Sequence, residues 1–92
     1  GYMSHEKQTL EAVIAARNNA QLAAGALAEA PGNPVLLASL AGSESLLAGA
    51  MMRFRGLMEA YPQLKADAGV GQLMEELTST ENRVAFARQA YN

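Results

Sequence analysis

Two clusters of helix breakers decide what this chain can become. The stretch "APGNP" at 30–34 puts Pro31, Gly32, Asn33 and Pro34 into one turn, and "YPQLKADAG" at 61–69 holds Pro62 and Gly69. Proline ends a helix and glycine is readily left behind by one, so both stretches are boundaries. Between them the apolar residues recur at helical spacing, and no alternating β-branched run appears. Three helices are expected, over about 4–29, 34–61 and 68–92, each about 37 to 42 Å long at 1.5 Å per residue. Stretches of matched length with short breaks between them make an all-α, antiparallel up-down-up bundle.

Local chemistry sharpens the boundaries. Ser4 is the expected N-cap of the first helix, with Glu6 in the first turn favourable to the helix dipole. Asn33 caps the second, and Pro34 takes the N1 position, where a missing N–H costs nothing. Asp67 caps the third. The first helix has an apolar stripe of Met3, Leu10, Val13, Ile14, Ala24 and Leu27. The second aligns Leu36, Leu40, Leu47, Met51, Phe54, Met58 and Tyr61, and the third Val70, Leu73, Leu77, Val84, Ala87 and Tyr91. Nineteen alanines favour close helix approach, chiefly around the first helix.

Composition removes several function classes. Ninety-two residues make one domain, and seven basic against nine acidic side chains leave a charge of -2. That balance gives no basic patch for nucleic acid. The absence of cysteine removes disulfides, thiolate nucleophiles and cysteine-ligated zinc. No uninterrupted apolar run approaches a membrane span, so these residues are expected to be soluble. The opening "GYMSHEK" carries no signal segment, and the chain is read as a piece of a longer protein.

A metal or catalytic site would need converging ligands. His5 and Glu6 lack the i, i+4 partner that would hold a metal on one helix face. Glu75 and Glu76 are adjacent, so they diverge by about 100° around the helix axis. Gly69 and Gly71 in "AGVG" lack the preceding strand and the lysine of a phosphate cradle. The five methionines fall mostly on core stripes, as gap fillers. No cofactor, catalytic group or small-molecule substrate is expected. The competing class, a metal-ion binder or enzyme using His5, Asp67, Glu75 and Glu76, requires at least three of those groups to meet at one point.

Two features remain. Arg17 falls in the first stripe, Glu44 in the second, Thr80 on the buried line of the third, and Glu81 and Arg88 at its edge. Charges in apolar stripes pair or reach out to water. Arg17, Glu44, Glu81 and Arg88 are therefore expected either as a structural seam, with Arg17 reaching Glu44 or Glu81, or as independently solvated groups. Gly42, Gly49 and Gly56 recur every seven residues on the face of the second helix opposite its leucines, and Phe86 points away from the third stripe. Interior glycines cost about 1 kcal/mol each relative to alanine, which close approach by another helix offsets. These four residues mark the expected interaction face, for a protein partner or a second copy.

The blocks "EAYPQLKA" (59–66), "QLMEEL" (72–77) and "TENRVAFARQAYN" (80–92) resemble the signature of the LemA family. "GYMSHEKQTLEAVIAARNNA" (1–20) is similar to its upstream segment, and "ESLLAGAMMRF" (44–54) to its middle helix, more loosely. The resemblance implies a bacterial protein anchored by an N-terminal transmembrane helix, with long antiparallel helices and a further helix before Gly1. It brings no catalytic residues and no established biochemical role, so a membrane-tethered interaction or scaffold domain is the implied function. Thr78 and Ser79 replace the commoner Glu-Gly pair, and Phe86 a smaller aliphatic. One branch that the chain resembles, MamQ, implies a part in forming the magnetosome membrane.

Overall fold

The computed structural model describes the backbone over 2–92 and the side chains from Glu6 onward. Its elements are helix α1 (Tyr2–Glu29), helix α2 (Pro34–Ala60), a 3-10 turn (Pro62–Ala66) and helix α3 (Ala68–Ala90). No strand occurs among the described residues. The molecule is 44 Å along its longest axis, close to the length of one 28-residue helix. The short turns must therefore reverse the chain.

The contacts fix the directions. Arg17 pairs with Glu76 and Gln21 with Thr80, and both pairs are 59 residues apart. A constant offset over one turn means that α1 and α3 run parallel and in step. Gly32, after α1, donates to the carbonyl of Tyr91, after α3, at 2.7 Å. α2 runs between them in the opposite sense, so the up-down-up order holds.

Both expected internal caps are made. Asn33 Oδ1 accepts from the N–H groups of Val35 and Leu36 at 2.9 and 3.2 Å. Asp67 Oδ1 accepts from Gly69 and Val70 at 2.8 and 3.1 Å. Gly32 sits at φ +78, the left-handed region that a residue without Cβ enters freely. The first cap differs. α1 already runs from Tyr2, so Ser4 stands inside the helix, and nothing in the sequence upstream of it marks the start. Residues 62–66 keep helical hydrogen bonding of the tighter 3-10 kind, because Pro62 is tolerated at the start of a new turn.

The core is narrow and small-sided along α1. Val13, Ala16, Ala20, Ala24 and Leu27 are buried there, against Leu40, Leu47, Met51 and Phe54 of α2 and Leu77 and Val84 of α3. Ile14, expected in the α1 stripe, is 38% exposed. Its position is taken by Ala16 and Ala20, whose methyl groups let two helices approach α1 at once. Leu10, Leu36, Met58, Leu73 and Tyr91 rim the core. Met3 and His5 lie outside the described side chains.

α2 also corrects one expectation. It holds an 18-residue window of mean hydropathy 1.5, long and apolar enough to cross a membrane by length and composition, with 22% of that window buried. Alanine and glycine sustain this average without forming a conspicuous run. In the fold, Leu40, Leu47, Met51 and Phe54 anchor the helix in the core.

Candidate functional site

The polar side chains that pair between helices form two separate groups rather than one seam. On the α1–α3 side, the Arg17 guanidinium pairs with Glu76 and sits at 20% side-chain exposure. One turn along, Gln21 Nε2 donates to Thr80 Oγ1 at 3.0 Å, and that hydroxyl donates to the Glu76 carbonyl at 2.8 Å. Thr80 is 1% exposed, and its donor and acceptor functions are both used. No buried side-chain N or O atom among the described residues lacks a partner.

On the α2–α3 side, Arg88 donates to Glu44 Oε1 at 2.6 Å. Both side chains are partly exposed, so the pair contributes at most about 1 kcal/mol. The expected contact of Arg17 with Glu44 or Glu81 is not made. Glu44 is taken by Arg88, twelve residues along α3 from the Glu76 that Arg17 meets, and Glu81 is exposed. The partner is Glu76, which the apolar stripe of α3 does not mark. A readable signal existed: Glu76 and Thr80 are four apart, as are Arg17 and Gln21, so two in-step helices bring them together.

Among the described residues, the ligands of the competing class do not converge. Asp67 is engaged at the α3 N-cap and Glu76 in its ion pair. Glu75 is exposed, beside an open groove that also has Gln21, Gln72 and Arg83 on its walls. The side chain of His5 lies outside those described. Among the described residues no three His, Cys, Asp or Glu groups come together as a metal site would require.

The remaining candidate is the outer face of α2. Gly42, Gly49 and Gly56 are exposed, and a Cβ added at any of them would meet nothing within 4 Å. At 100° per residue the three lie within about 40° of one another. Leu46 and Met52 flank this line about 60° to either side, 66% and 72% exposed, and Val35 is exposed beyond its upper end. Phe86 of α3 is exposed as well, with Tyr91 edge-on to its ring at 6.2 Å. The seven-residue recurrence identified this line, but the exposed leucine and methionine beside it did not stand out in the sequence.

The described residues thus form a three-helix bundle whose α2 carries an exposed, glycine-lined outer face, and no three metal-ligating groups come together among them. A family model for the LemA family matches residues 1–92, and the chain belongs to that family. The LemA family is generally membrane-associated and is not a known enzyme family. No curated protein and no solved structure matches the chain.

Proposed function

We propose that the chain is a non-enzymatic interaction domain, membrane-tethered in its whole protein, which offers the outer face of α2 to a protein partner or a second copy. The supporting observation is the open line of Gly42, Gly49 and Gly56 between exposed Leu46 and Met52. Exposed large apolar side chains beside a groove of bare backbone provide contact area and close approach together. The tether rests on the family's association with membranes. A MamQ-like role in forming the magnetosome membrane is a narrower version of this reading, and it rests on the resemblance alone.

The test compares two proteins carrying Gly42→Ala, Gly49→Ala and Gly56→Ala together. In the 92-residue chain the added methyl groups enter open space, and helix propensity stabilises it by about 2 to 3 kcal/mol. In the full-length protein or its complex, the same methyl groups push a docked helix away, at a cost of about 1 to 3 kcal/mol. Thermal melts of opposite sign support the interaction face. Equal stabilisation of both proteins makes the glycine line an ordinary surface and ends this reading.

A further inference from the structure

The lower end of the same face leads into an open groove of about 590 Å³ between α1 and α2. Leu57, buried to 7% exposure, lines it together with Ala12, Gly56 and Ala60, with Gln8, Thr9 and Tyr61, and with Arg53. The volume falls within the range of pockets that hold ligand side chains. The small side chains at 12, 56 and 60 leave room, and the space above Gly56 is empty to at least 4 Å.

Arg53 supplies the charge. The described ion pairs use Lys7, Arg17 and Arg88 as their cations. Although the chain is acidic overall, Arg53 stands in none of them. Its planar guanidinium offers a fixed fork of donors suited to a carboxylate.

We propose that this groove receives an acidic side chain of a partner helix, together with a neighbouring aliphatic side chain, and that Arg53 is the counter-ion. The proposal rests on the interaction-domain reading and names the partner's chemistry. Gly56 belongs both to the groove and to the glycine line, so one helix lying along α2 reaches both. Its carboxylate meets Arg53 while its aliphatic neighbour covers Ala12, Leu57 and Ala60. A free small carboxylate would leave the apolar lining of Ala12, Leu57 and Ala60 in water.

The probe is a fluorescein-labelled, alanine-based helical peptide of about 15 residues. One face carries two leucines and a glutamate, and a twin peptide has glutamine in the glutamate's place. Anisotropy should show the glutamate peptide binding about tenfold more tightly than its twin, the equivalent of about 1.4 kcal/mol. Amide shifts should map to Ala12, Gly56, Leu57 and Ala60. The substitution Arg53→Gln should abolish the preference, Arg53→Lys should retain part of it, and Gly56→Leu should block both peptides by filling the groove. Because Arg53 and Gly56 are exposed, these variants should fold. Equal affinity for the two peptides, or shifts elsewhere, overturns the acidic partner while leaving the interaction face to its own melting test. No binding of either peptide overturns it as well.

Discussion

Thr80 shows how one hydroxyl can be accommodated in an otherwise apolar line. Its Oγ1 uses the carbonyl of Glu76 and the amide of Gln21, so neither of its functions is left unsatisfied. Valine has nearly the same shape and removes both bonds. The Gln21 amide, only half-buried, can turn to water, and the Glu76 carbonyl keeps its place in the α3 ladder. Thr80→Val should therefore cost about 1 kcal/mol, the net value of a typical hydrogen bond, with the urea m-value unchanged. A loss above about 3 kcal/mol in urea titration would mean that Gln21 is trapped without a partner. At this scale the sequence was only half legible. Thr80 could be placed on the buried line from spacing alone, but the partner of Arg17 depended on the relative rotation of two helices, which no single stripe contains.

The starts of α2 and α3 were the most legible features, because a cap is settled by four or five neighbouring residues. Asn33 with Pro34, and Asp67 before Ala68, carry their own explanation. The interior of α1 was less readable. Ile14 looks like a better core residue than Ala16 or Ala20, but closeness of three backbones favours the smaller side chain. Glycines separate by the same kind of local reasoning. Gly25 in α1 has open space around it, whereas Gly32 stands at φ +78. Gly25→Ala should stabilise the chain by about 1 kcal/mol through helix propensity. Gly32→Ala should destabilise it by about 1 to 2 kcal/mol, the strain of a left-handed backbone for an L-residue. Chemical denaturation of the two variants should give these opposite signs. Stabilisation by both would show that the turn can relax out of its left-handed conformation.

At the scale of the whole molecule, α1 is the helix against which the other two are packed. Ala20 has no exposed surface and lies in the second half of that helix. Ala20→Leu adds three carbons where two helices already meet, and overpacking of this kind costs about 1 to 3 kcal/mol. A domain of this size loses about 4 to 8 °C of Tm per kcal/mol, so a clear drop is expected. A Tm at or above that of the parent would reveal slack around α1. The bundle and its direction were legible from two proline-containing breaks and matched lengths. The apolar character of α2 was not, since it is an average over small residues rather than a visible run.

The bond from the Gly32 N–H to the Tyr91 carbonyl joins the α1–α2 turn to the residue after α3. It links positions that are remote in sequence and depends on no side chain. When α3 lifts away, that amide is released even if α1, α2 and the turn between them stay formed. Exchange of this one proton with solvent deuterium therefore keeps time for undocking of the third helix, separately from fraying of the first two.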